Sequence, residues 1–280
     1  MIGINPMSRN YAPIFGFFTI FSLFLSGCFD KEKDSARANK GKQITRLSHE
    51  VSIVLDPPRY QPSPLYPWEE GLVGNLPKIT KEYFRCNGSL LNPEKMIERN
   101  GQLERITDCG GAEKHSLPLK DGLEFVQPIL ISLMNHIQAE TGKKVVITSG
   151  HRCPEHNQYV DSSKSNLYSK HQVGAEVSFY VKGLEESPER VIQLLMDYYK
   201  NHQDEDFRQF QRYEKDDTGV ITKPWYNKEI YIKLFKQNEG RNFDNRHPFP
   251  YIAVQVRYDP DSKERVIYSW DKAYKNYLRF

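Results

Sequence analysis

The sequence predicts an α+β fold with a mainly antiparallel sheet and packed helices. Three observations predict it. An apolar stripe at three- and four-residue spacing is followed at once by a β-branched run, and further strand-like runs crowd the C-terminal half. The stripe is Val126, Ile129, Leu130, Leu133, Met134 and Ile137, one face of a helix that Gly142 stops. Lys144 to Thr148 (KVVIT) then reads as a strand. A second helix opens with Ser187 as cap, Pro188 in the first turn and Glu189 after it. It carries Val191, Ile192, Leu195 and Tyr198 on one side. After a polar stretch, Asn201 to Thr218, the strand candidates are Glu229 to Phe235, Tyr251 to Arg257 and Arg265 to Trp270. No internal repeat is visible.

Composition narrows the function. The chain has 280 residues, 38% hydrophobic and 27% charged, with 39 basic against 36 acidic side chains and a net charge of +3. That is globular composition, with charge too mild and too interspersed for a nucleic-acid partner. No phosphate-cradling glycine loop appears. A mean hydropathy of −0.68 excludes a polytopic membrane protein.

The N-terminus reads as an address. Tyr11 to Leu25 (YAPIFGFFTIFSLFL) is uncharged, follows Arg9 and ends in Leu25-Ser26-Gly27-Cys28. A basic start, an apolar core and small residues at a boundary make a secretory leader over residues 1–27. Leu-Ser-Gly-Cys resembles the bacterial lipobox, which implies a lipidated Cys28 as the first mature residue. Such an anchor holds the protein on the periplasmic side of a membrane, and Phe29 after the cysteine favours the outer one. Residues 28–47 are a charged tether with almost no apolar mass. Residues 48–116 form an extended region with one strand candidate, Val51 to Leu55, and a proline run (Pro57, Pro58, Pro62, Pro64, Pro67). Besides Cys28 there are Cys86, Cys109 and Cys153, an odd number in a disulfide-permissive compartment. Cys86 and Cys109 are the expected disulfide, leaving Cys153 a free thiol or alternative partner. No C-x-x-C pair marks a structural zinc.

The chemistry should lie between Thr148 and Val181. Ser149-Gly150-x-Arg152-x-Pro154-x-x-Asn157 is followed by Ser169-x-His171-x-x-Gly174. Together these resemble the zinc D-alanyl-D-alanine carboxypeptidases and related peptidoglycan endopeptidases of hedgehog-like fold. Their pattern is S-G-x-R-x-P-x-x-N, then S-x-H-x-x-G-x-A-x-D, then a histidine triplet on a late strand. The resemblance implies a domain over residues 117–280. It also implies that His171 is a zinc ligand and that Arg152 grips a substrate carboxylate, with Ser149 and His151 beside it. A salt bridge from Arg152 to Glu155 or Asp161 is the bland alternative.

Departures from the pattern decide the reading. The family's aspartate ligand is Ser178 here, and its small alanine is Glu176. On the late strand, Ala253 and Gln255 fall where the histidine and its partner belong. Catalytic zinc needs three good donors and one open position. His171 supplies one, a relic of the site. Glu176 and His247, the latter in the loop before the late strand, are the available substitutes, and His156 is expected to face solvent. The aromatics from Trp225 to Trp270 line a groove or fill the core.

The expectation is therefore a lipid-anchored envelope protein with an inactive carboxypeptidase-like domain and no cofactor. It would bind a peptidoglycan stem peptide or an envelope protein. The alternative is an active zinc-dependent peptidase on substituted ligands.

Overall fold

The computed structural model describes residues 66, 68, 71–99, 101–163 and 168–280. The leader, Cys28, the tether and the Val51 to Leu55 strand lie outside the described residues. Among those described, no helix is long and apolar enough to cross a membrane. The fold is mixed α and β, with antiparallel sheets and few helices.

Its centre is one six-stranded sheet. The strands are β1 (Val145–Ser149), β2 (Glu176–Val181), β3 (Gln211–Arg212), β4 (Trp225–Tyr226), β5 (Ile230–Phe235) and β6 (Tyr251–Val256). They lie in the order β1-β2-β6-β5-β4-β3, every neighbouring pair antiparallel. Successive side chains of a strand point to opposite faces. Val177, Phe179 and Val181 of β2 are thus buried on the same side as Ile252, Val254 and Val256 of β6 and Ile230, Ile232 and Leu234 of β5. Glu176, Ser178, Lys233, Ala253 and Gln255 face the other way. Each buried aliphatic side chain contributes roughly 2 kcal/mol. A one-residue slip would exchange all of them for the polar set, so the register is strongly fixed.

Helix α1 (Pro128–Thr141) follows the predicted stripe, burying Leu130, Leu133, Met134 and Ile137, and Gly142 ends it in the left-handed conformation. Two of its polar residues face inward with a purpose. Asn135 accepts from Ile79 N–H and donates to Ile79 O, both at 2.8 Å. Gln138 donates to Pro77 O at 3.0 Å. A loop from the N-terminal region is thereby fastened to the domain through buried backbone groups. Helix α2 (Pro154–Val160) follows β1, and α3 (Pro188–Asp197) buries Val191, Ile192 and Leu195. Ser187 holds the N-cap position of α3, but its side chain makes no capping bond.

One expectation needs correction. Arg265 to Trp270 is not a strand. Only Glu264–Arg265 pairs, with Tyr258–Asp259, and Ser269 then caps a short helix at Trp270–Tyr274 by accepting from Lys272 N–H at 3.2 Å. The described part of residues 48–116 carries local structure of its own. It forms a turn at Lys81–Phe84 and hairpins at Leu72–Pro77 and Lys95–Ile106. Ile79 and Phe84 are buried in the same core as Leu117 and α1.

Candidate functional site

The polar face of the sheet is the floor of a cleft of about 720 Å³. Glu176 and Ser178 of β2, Ala253 and Gln255 of β6 and Lys233 of β5 line it, with His171 and Arg152 on its wall. The register explains the grouping. Ala253 is the direct partner of Ser178, Gln255 of Glu176 and Lys233 of Ala253. Six positions singled out from the sequence therefore meet in one place, although Arg152 and Gln255 are about a hundred residues apart.

The Ser-x-His-x-x-Gly run has a local reason. Ser169 Oγ accepts from His171 N–H at 3.3 Å, capping a single 3₁₀ turn over Lys170–Val173. Gly174 closes that turn at φ 66°, a conformation costly for a residue with a Cβ. The turn hands the His171 ring to the cleft. Its Nδ1 donates to Gly150 O at 2.6 Å, so the Nε2 lone pair faces Glu176 Oε1 at 3.6 Å. Burial, against the pull of the facing Glu176 carboxylate, pushes the imidazole down to about 4, so it is neutral near pH 7. Glu176 Oε1 also accepts from Gln255 Nε2 at 3.0 Å. Glutamine thus presents its amide N–H to the carboxylate.

Arg152 is almost wholly buried, and its ion pair is with neither acid expected. Its Nε donates to Asp244 Oδ2 at 3.0 Å and to Ser149 Oγ at 2.7 Å. Glu155 pairs instead with Arg279. Ser149 donates to the same Asp244 oxygen at 2.7 Å and so stands behind the cleft, a support for Arg152 rather than a lining residue. The other Asp244 oxygen accepts from His156 Nε2 at 3.1 Å, and His156 Nδ1 donates to Asp108 Oδ1 at 2.7 Å. His156 is completely buried, not solvent-facing. Burial alone would lower its pKa; the bonds to Asp108 and Asp244 outweigh that and carry it up to about 9. The imidazolium stays charged between two carboxylates and locks α2 to the loop carrying Asp244.

Other expected residues lie elsewhere. His151 does not line the cleft; it is buried beside His115, with ring centroids 5.8 Å apart and neither ring nitrogen hydrogen-bonded. His247 packs against Tyr180, Phe249 and Tyr251 and is not in the cleft wall. Cys86 and Cys109, expected to be joined, are not bonded to each other: their Sγ atoms lie 3.7 Å apart, against about 2.05 Å for a disulfide. Among the tail aromatics, Tyr251 and Tyr268 line the cleft, while Trp225 and Tyr258 pack on the core.

Sequence reasoning missed Lys170, Lys233, Asp244 and Asp108. Lys233 Nζ donates to Thr218 O at 2.8 Å and Lys170 Nζ to Val256 O. Burial brings Lys170 down to about 8. With Arg152 they give the cleft three cationic side chains beside the acidic Asp161, Glu176 and Asp217. No linear motif announces them. Alternation along β5 was the available signal for Lys233.

Among the described donors of the cleft, His171 and Glu176 face each other; Asp161 and Asp217 also line it, but neither joins them in a converging group of three. Among the described residues, groups of three or more metal-donor side chains converge at Cys86, Cys109, His115 and Cys153, and at Asp108, Cys109 and His156. Neither includes His171. No protein-family model matches the sequence, and no curated protein or solved structure matches it.

Proposed function

We propose that the protein is a lipid-anchored cell-envelope protein with a hedgehog-like, carboxypeptidase-type domain. Its cleft holds the carboxylate end of a peptidoglycan stem peptide and does not hydrolyse it. One observation carries this reading: the motif positions Ser178, Ala253 and Gln255 share one sheet face, with His171 and Arg152 lining the same cleft beside them. That is the placement a zinc peptidase would need, with the donors replaced. An alcohol, a methyl and an amide are poor substitutes for an aspartate and a histidine, and two converging donors, His171 and Glu176, leave zinc short of the three its catalytic sites use. The guanidinium of Arg152 uses Nε on Ser149 and Asp244 and remains able to bind a carboxylate through its terminal nitrogens.

A second reading rests on the facing pair itself. His171 Nε2 and Glu176 Oε1 lie 3.6 Å apart as two electron-pair donors around one point, as in a metal site lacking a third ligand. Hydrolysis by zinc-bound water would then be the activity.

One experiment weighs both. The full chain, purified in detergent without chelator, is titrated with a D-Ala-D-Ala-ended stem peptide and with the same peptide amidated at its C-terminus. The expected result is binding of the free acid, weakened at least about tenfold by amidation, roughly 1.4 kcal/mol. The peptide should be recovered intact. Equal affinity for acid and amide would remove Arg152 as the grip, and release of D-alanine would establish the second reading.

A further inference from the structure

Behind the cleft wall lies a second cluster with different chemistry. The Sγ atoms of Cys86, Cys109 and Cys153 and a ring nitrogen of His115 all lie within 4.8 Å of one another. Cys86 Sγ and Cys109 Sγ are 3.7 Å apart, and Cys109 Sγ and His115 Nε2 are 3.6 Å apart. A tetrahedron with zinc–sulfur bonds of about 2.3 Å and a zinc–nitrogen bond of about 2.0 Å has edges of roughly 3.8 and 3.5 Å. These contacts therefore match ligands around a common ion.

The surroundings are those of a built site. His115 Nδ1 lies 3.0 Å from Ser116 O, which can only accept, so Nδ1 carries the proton and Nε2 offers its lone pair inward. Backbone N–H groups point at the sulfurs: Gly111 N–H at Cys109 Sγ, 3.3 Å, and His156 N–H at Cys153 Sγ, 3.4 Å. Such bonds favour thiolate over thiol. Gly88 leaves room for the sulfur, since a Cβ there would stand 2.0 Å from Cys109 Sγ. Cys86, His115 and Cys153 are buried.

We propose that Cys86, Cys109, His115 and Cys153 bind one zinc ion in a closed tetrahedral site that fastens the N-terminal region to the cleft wall. The ligands come from three segments. Cys86 follows the turn at Lys81–Phe84, Cys109 and His115 flank a glycine-rich loop, and Cys153 precedes α2. The segment between them has little apolar mass to hold it, because Leu90, Leu91, Met96 and Leu103 are exposed. A metal cross-link is one of the few means by which so sparse a region is fixed. Cys153 adjoins Arg152, and Gly150 O holds His171, so the ion would also set the loop that shapes the cleft. Four protein ligands leave no open position, and the role is structural.

The test uses the full chain in detergent, purified anaerobically without chelator. Bound metal is measured by mass spectrometry and thiols by alkylation before and after chelation. About one zinc per chain is expected, with Cys86, Cys109 and Cys153 protected from alkylation until zinc is removed. Replacement by cobalt should give a thiolate-to-metal charge-transfer band and the visible bands of a tetrahedral ion. Cys109→Ser and His115→Ala should lose the zinc. His115→Cys, which restores a fourth donor, should retain it, separating ligand loss from misfolding. His171→Ala should keep its zinc, which distinguishes this site from any metal in the cleft. A disulfide linking any two of the three cysteines in the anaerobic protein would overturn the proposal. So would the absence of zinc from a folded chain with three free thiols, or zinc that depends on His171.

Discussion

Ser178 and Ala253 are direct partners across the β2–β6 ladder, and both face the cleft that His171 overlooks. An alcohol and a methyl thus sit side by side at the two positions where the proposed reading puts a zinc peptidase's aspartate and histidine. If lost donors are what keeps the cleft from holding zinc, restoring them should restore affinity. Ser178→Asp together with Ala253→His should bind one more zinc than the unmodified chain, at least about tenfold tighter at the cleft. Adding His171→Ala should abolish the gain. Competition titration with a zinc-sensitive dye measures it, and no gain would mean that the cleft does not have the geometry of a vestigial ligand set.

Backbone contact between Gly150 and Phe84 sets the position of that wall. His151 N–H donates to Phe84 O at 2.6 Å, and a Cβ on Gly150 would stand 2.5 Å from Phe84 Cα. Backbone on both sides leaves no flexible end to yield. Gly150→Ala should cost about 1–3 kcal/mol, a fall of several degrees in Tm. Gly142→Ala is the control: its φ is +62° but nothing lies within 4 Å, so only the left-handed strain of about 1 kcal/mol applies. Thermal melts of the two variants should differ in that order. Equal shifts would show that the strands of chain can part without cost.

The parts of this architecture legible in the sequence are those with a local cause. Helix α1 shows because its stripe repeats with the period of a helix, and β5 and β6 show as β-branched runs. His171 and Ser178 are found through a motif whose spacing reflects a capped turn followed by a strand, and Ala253 through the late strand that pairs with it. His156 is misjudged because a seven-residue helix is too short to display which side is buried. Asp244 is one acid in a polar loop, and only tertiary folding brings it between Arg152 and His156. The cysteine cluster escapes for the same reason. Cys86, Cys109 and Cys153 stand far apart in the chain, with none of the close pairing that marks a zinc knuckle, and Gly150 against Phe84 supplies the closeness that spacing does not.

Beneath the other end of the sheet, Glu229 is buried with Tyr199 as its hydrogen-bond donor, the Tyr199 hydroxyl 2.8 Å from Glu229 Oε2. Burial raises its pKa to about 7; the Tyr199 bond opposes the rise, and Asp259 and Asp261 add to it. The unfolded value is about 4.3. Because the folded pKa is the higher one, the favourable contribution is that of the neutral carboxyl. It is fully present below about pH 4 and is lost as pH rises through about 7, with at most roughly 4 kcal/mol at stake. Glu229→Gln keeps an acceptor for Tyr199 and removes the charge. It should therefore match the unmodified chain near pH 4 and exceed it by about 1–2 kcal/mol at pH 8, the buried amide N–H groups reducing the full gain. Urea denaturation of both proteins at the two pH values checks this. A difference that does not grow with pH would mean that the carboxyl is not held neutral by the fold.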